Sequence, residues 1–137
     1  MVRVLIPFTE PKAAERAVQR LLDEPRRSEL EVELLAIVEP LTAGKVGIYL
    51  TRRRAEALAR AAAEAWLERI GARLRASGIA WRGRVALGRA AKVIAAAMTR
   101  DDVDRVLLSA PRRFPPMLAR HRLALARGAH LPVTLVR

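Results

Sequence analysis

Residues 2–18, VRVLIPFTEPKAAERAV, decide the fold. The first seven, VRVLIPF, are apolar on both parities, which suits a strand covered on both faces and not a half-exposed one. Thr9 follows as a candidate helix cap and Pro11 suits a first helical turn. Beyond them Ala14, Val18 and Leu21 recur on one face, while Glu15, Arg16, Gln19 and Asp23 face out. A buried strand thus passes at once into an amphipathic helix.

The same alternation of elements continues outward. EPRRSE at 24–29 breaks the helix, and LEVELLAIV at 30–38 changes from alternation to a continuous apolar run, a second buried strand. Residues 39–50, EPLTAGKVGIYL, hold a proline and two glycines with no sustained period, and read as a long connection of the kind that often carries function. From Thr51 a helix is expected to about Ser77, with Leu58, Ala62, Trp66, Ile70 and Leu74 inward and Gly78 as its stop. Its outward row, Glu56, Arg60, Glu64 and Glu68, is spaced for helical ion pairs.

WRGRVAL at 81–87 sets Trp81, Gly83, Val85 and Leu87 against Arg82, Arg84 and Ala86, the pattern of an edge strand with one wet face. A short helix at about 90–100 uses Ala91, Val93, Ile94 and Met98. DRVLLSA at 104–110 is a buried strand, PRRFPP at 111–116 interrupts, Met117–Arg127 reads as a basic helix, and LPVTLVR at 131–137 as the last strand. No internal repeat or low-complexity tail marks a boundary, so one α/β domain over 1–137 is expected. The β-α order implies an open five-stranded parallel sheet with helices on both faces, its ligands beyond the carboxyl ends of the strands. That rule points to the turns after Phe8, Val38, Leu87 and Ser109.

Composition narrows the chemistry. Although 52% of residues are hydrophobic, no run reaches the roughly 18 apolar residues of a membrane helix. MVRVLIPF lacks the features of a secretory signal, and a cytoplasmic protein is expected. There is no cysteine, and His121 and His130 are the only imidazoles, which removes thiol catalysis and most zinc chemistry. His121 sits between Arg120 and Arg122, whose charge opposes protonation and metal binding. Asp101, Asp102 and Asp104 would suit a turn before a strand better than a Mg²⁺ site. No cofactor and no metal are expected, and no nucleophile or acid/base pair is recognisable.

The net charge is +12, and it is uneven: residues 1–68 balance 11 basic against 11 acidic groups, whereas 69–137 carry 15 against 3. Such a half attracts polyanions, and nucleic acid is one candidate partner. With 4% aromatic residues it has no stacking platform for bases, and a genome whose composition favours arginine is the plainer account.

Several stretches together carry a resemblance. VLIPFTEPKAAERAV, LLAIVEP, VALGRAAKVIAAA and DRVLLSA with HLPVTLVR resemble the elements of the universal stress protein family across nearly the whole chain. The resemblance implies a Rossmann-like sheet in the order 3-2-1-4-5, and a stress-associated regulatory role without catalysis. It also implies a homodimer paired through the last strand, with Val133, Leu135 and Arg137 on that edge.

Nucleotide-binding members of the family carry an Asp after the proline of the first strand. Here the residues are Pro7, Phe8 and Thr9. Those members also carry two glycines separated by two residues after the fourth strand, and a third glycine before Ser or Thr about ten positions on. The corresponding residues here are Ser109 and Arg112, then either Arg122 with Leu123 or Ala119 with Arg120. A phosphate cradle needs converging backbone N–H groups and close approach, which side chains obstruct. Pro111, Pro115 and Pro116 moreover have no N–H to give. The resemblance therefore implies a degenerate member that does not hold ATP in the family's manner.

Candidate ligand contacts remain at the strand ends: Thr9, Ile37, Ser109, Arg112 and Arg113. The forks of Arg112 and Arg113 suit a phosphate or carboxylate of a nucleotide or other small anion, or else both are solvated loop residues. Thr9 is either a ligand contact or a cap.

Overall fold

The structure is a computed structural model, and it describes residues 1–40, 49–100, 102–109 and 131–136. Along them run β1 (Val2–Phe8), α1 (Pro11–Leu22), a 3₁₀ turn (Arg27–Glu29), β2 (Leu30–Val38), α2 (Tyr49–Ala76), β3 (Ala80–Leu87), α3 (Ala90–Met98), β4 (Arg105–Ser109) and β5 (Val133–Val136). The five strands form one parallel sheet in the order β3-β2-β1-β4-β5. The expected fold class and strand order are both present. The expected basic helix at Met117–Arg127, the two histidines and most of the 39–50 connection fall outside the described residues.

Alternation within β1 and β2 divides the core between the two faces of the sheet. Val4, Ile6, Phe8, Val32, Leu34 and Ala36 pack with Ala14, Val18 and Leu21 of α1 and with Ala63, Leu67, Ile70 and Leu74 of α2. Leu5, Leu35 and Ile37 face the other way, against Ala97 and Met98 of α3, with Val103 and Val106. Both parities of the central strands are therefore buried, as the apolar runs at 4–8 and 34–38 require.

Two expectations need correction. The inward stripe of α2 is Ala63, Leu67, Ile70 and Leu74, whereas Leu58 is 68% exposed and Ala62 points to solvent. A strict i+4 row drifts by about 40° per step around a helix, so it leaves the core face within a few turns, while steps of four and three stay on it. Thr9 does not cap α1 either: the cap position is Glu10, with no side-chain cap bond, because Pro11 takes the first helical position.

The end of α2 is set by its backbone. Gly78 has φ +77°, its N–H donates to the Arg75 carbonyl at 3.0 Å, and the Ile79 N–H donates to the Leu74 carbonyl at 3.0 Å. This pair of bonds satisfies the last carbonyls and brings buried Ile79 against buried Leu74. The helix then returns directly into β3, whose Trp81 lies against α2 at Gly71. A Cβ on Gly71 would collide with the six-membered ring of the indole.

Candidate functional site

In a sheet of this order the crevice for a ligand opens at the carboxyl ends of β1 and β4, where the strand order reverses. Val4 pairs with Arg105 and Leu5 with Val106, and continuing that register sets Ser109 level with Phe8. Thr9, one residue beyond β1, is exposed there. Ser109 ends β4 half-buried, and its Oγ accepts a bond from Arg16 Nε of α1 at 2.9 Å. Arg16 is thus not a plain outward residue as its place on the polar face of α1 suggests; it reaches back to the crest and is half-buried.

The crest between β2 and β3 is closed by the chain itself. The Gly88 N–H donates to the Val38 carbonyl at 3.0 Å, and Glu39 Oε1 accepts from the Ala90 N–H at 3.1 Å, at the first turn of α3. A carboxylate there complements both the free N–H groups and the helix dipole. Ile37 is 4% exposed, packed in the core on the α3 side. Of the expected candidates, then, Thr9 and Ser109 share the β1/β4 crest and Ile37 lies inside the sheet's packing. Arg112, Arg113 and Arg137 lie outside the described residues. Val133 and Leu135 stand on β5, an edge strand, and are half-buried.

A second polar constellation lies toward the amino ends of the strands, on the α3 side. Glu33 of β2 is 7% exposed, and Arg100, just beyond α3, grips both its carboxylate oxygens. Arg84 Nε donates to Glu33 Oε1 at 3.3 Å, and Arg82 Nε stands 3.9 Å from the same oxygen. Arg82 Nη2 also donates to Asp102 Oδ2 at 2.8 Å, an oxygen shared with Arg3 Nη1 at 3.2 Å, while Arg3 Nε pairs with Glu31 at 3.3 Å. The hydrogen bond from Arg82, and then the charge of Arg100, hold the Asp102 carboxyl below its usual range. The contact with Glu33 raises Arg100 further above its usual range.

Four guanidinium groups thus meet three carboxylates, so the cluster is close to neutral within itself. It ties β1, β2 and β3 to the connection entering β4. Asp104 adds to the tie separately: its Oδ2 accepts from the Arg3 backbone N–H at 2.9 Å. Asp102 and Asp104 serve different partners, and the described residues hold no group of carboxylates and imidazoles suited to a metal ion.

These features can be set beside known proteins. A sequence model of the universal stress protein family matches residues 1–137. The chain belongs to that family. A universal stress protein family structure from Burkholderia pseudomallei is similar with a TM-score of 0.72 and 15% identity, over 98% of this chain and 94% of that one. One from Arabidopsis thaliana, solved with AMP bound, gives 0.67 and 15% over 99% and 91%. A universal stress protein in complex with cAMP gives 0.66 and 11% over 99% and 96%. At such identities the likeness is one of fold. No curated protein sequence matches the chain.

Two groups in this universal stress protein escape a reading of its sequence. Arg16 lies on a polar helix face among other charged residues, and nothing in the spacing says that its side chain finds a hydroxyl on a strand about ninety residues later. Glu33 does leave a trace. Glu31 and Glu33 alternate on one parity of a strand otherwise buried, and Arg82 and Arg84 alternate likewise on β3, so adjacent strands present complementary faces. No described helix of this universal stress protein is long and apolar enough to cross a membrane.

Proposed function

We propose that this chain is a cytoplasmic, non-catalytic stress-associated regulator that does not hold ATP in the manner of the family's nucleotide-binding members. One observation carries the reading: Ser109, at the position where those members have the first glycine of the loop, bears a side chain already engaged by Arg16. Thr9, where they carry an acid, offers a hydroxyl and no charge for a magnesium-bound triphosphate. The sequence of the following segment agrees, since guanidinium and pyrrolidine groups replace backbone donors. Calorimetric titration with ATP, ADP, AMP and cAMP tests it. The expected result is no saturable heat with ATP, and tight ATP binding that Thr9→Ala weakens would reject it.

A second reading is favoured by the neighbours solved with AMP and cAMP. In it Arg112 and Arg113 act as a guanidinium clamp for a nucleotide or another small anion. Binding of AMP that disappears in Arg112→Ala supports it, and AMP binding unchanged by that substitution rejects it.

The assembly proposed for either reading is a homodimer paired through β5, with Val133, Leu135 and Arg137 at the edge. The support is the position of β5 at the end of the sheet, where its outer backbone groups have no strand neighbour among the described residues. Sedimentation at micromolar concentration should show a dimer that Leu135→Pro dissociates. A strictly monomeric wild type contradicts the pairing.

A further inference from the structure

We propose that the outer edge of β3 is a docking strip for an extended peptide with carboxylates on alternate positions and apolar side chains between them. β3 ends its side of the sheet with eight residues, against four for β5 at the other end. The Gly88 N–H turns inward to the Val38 carbonyl, so by the alternation of a strand the N–H and C=O groups of Leu87, Val85, Gly83 and Trp81 turn outward. Gly83 has no side chain to show and is nevertheless exposed, so it is main chain that meets solvent in the middle of the strand. No described strand pairs with these groups, which form a template for strand addition.

The two sides of this edge differ, and together they select the occupant. On the α2 side a groove is floored by Leu67, Trp81 and Val85 and rimmed by Glu64 and Glu68, so it takes apolar side chains and repels acids. On the α3 side stand Arg82 and Arg84, their side chains 48% and 43% exposed. Asp102 holds Arg82, whereas Arg84 meets Glu33 through Nε alone, and its Nη groups have no acceptor among the described residues. A strand laid on the edge brings alternate side chains beside these two guanidinium groups, where carboxylates make charge-assisted bonds. A second copy of the chain fits badly: antiparallel registers centred on Arg82, Gly83 or Arg84 each set arginine against arginine. The net charge of +12 likewise draws an acidic partner and repels another copy.

The probe is a fluorescein-labelled peptide as long as β3 that alternates glutamate with valine, titrated into the full chain and followed by anisotropy and by residue-resolved amide hydrogen exchange. Binding should be saturable and should weaken as salt rises. Exchange at Gly83, Val85 and Leu87 should slow by about tenfold at saturation, as their N–H groups enter a ladder. Arg84→Gln should weaken binding about tenfold, as loss of one charge-assisted contact implies. A counterpart peptide with lysine for glutamate needs no variant of the protein, and it should bind the wild type at least about tenfold more weakly. Equal binding of the two peptides, full-strength binding to a folded Arg84→Gln, slowed exchange on β5 in place of β3, or no binding of the glutamate peptide overturns the proposal. So does slowed exchange at Gly83 and Val85 that appears without peptide and grows with protein concentration, since a second copy then occupies the edge.

Discussion

Arg100 holds both carboxylate oxygens of Glu33, the one buried charged side chain among the described residues. The pair joins the end of α3 to the middle strand of the β3-β2-β1 half-sheet, with Arg82 and Arg84 closing on the same carboxylate. Glu33→Gln keeps the shape and removes the charge, leaving three guanidinium groups facing one neutral amide. Because those groups are themselves partly exposed, solvent screens much of the effect, and a loss of about 1–3 kcal/mol is expected. Urea denaturation measures it; an unchanged midpoint means that the cluster contributes nothing to stability.

Acid should loosen the molecule through a small set of carboxyls. Arg105 donates to both oxygens of Glu24, at 3.1 and 2.8 Å, and this bond holds the Glu24 carboxyl below its ordinary 4.5. Arg82 does the same for Asp102, below its ordinary 3.8. In that interval the unfolded chain binds more protons than the folded one, so stability falls as pH is lowered. The contribution is complete above about pH 5 and is lost as pH drops through the depressed folded-state values. Thermal melts from pH 7 to pH 3 should show a falling Tm, with a shallower fall in Arg105→Gln.

Gly71 and Trp81 make a packing test. Alanine is the better helix former by about 1 kcal/mol, so on propensity alone Gly71→Ala would stabilise α2. The indole occupies the space of the added methyl, and the net effect should instead be a loss of about 1–3 kcal/mol. Trp81→Leu should relieve that penalty, so in a double-mutant cycle the double variant should lose less stability than the sum of the two single losses. Additive effects would show that the indole and the helix are not in contact.

Gly78 makes a backbone test. Its φ of +77° is one that side chains disfavour, while its surroundings leave room for a Cβ. Gly78→Ala should cost about 1 kcal/mol through strain alone. Gly78→Asn should cost less, because asparagine tolerates the left-handed region. Equal stability of all three proteins by denaturant titration would contradict this.

How much of this was legible beforehand differs between fold and site. Val4–Phe8 of β1 and Leu34–Val38 of β2 are continuous apolar runs, and nothing but a strand covered on both sides suits them, so the sheet and its helices follow from the sequence. The inward face of α2 is not fixed by its sequence, because an alanine-rich helix offers several candidate stripes, and only the contact with β3 at Gly71 and Leu67 selects one. The site was less legible for a different reason. Ser109 could be placed at the crest by its position after β4, but the bond from Arg16 joins residues distant in sequence through one rotamer of a long side chain. Thr9 illustrates the same limit locally: two residues compete for one cap, and Pro11 decides between them.

Native mass spectrometry of the purified chain in millimolar ATP, magnesium and a volatile buffer tests the central claim most directly. A side chain engaged where a glycine would stand, and a hydroxyl where an acid would stand, lead to a spectrum with no ATP-bound species beyond the nonspecific background. One ATP retained per subunit, lost on Thr9→Ala, would contradict it.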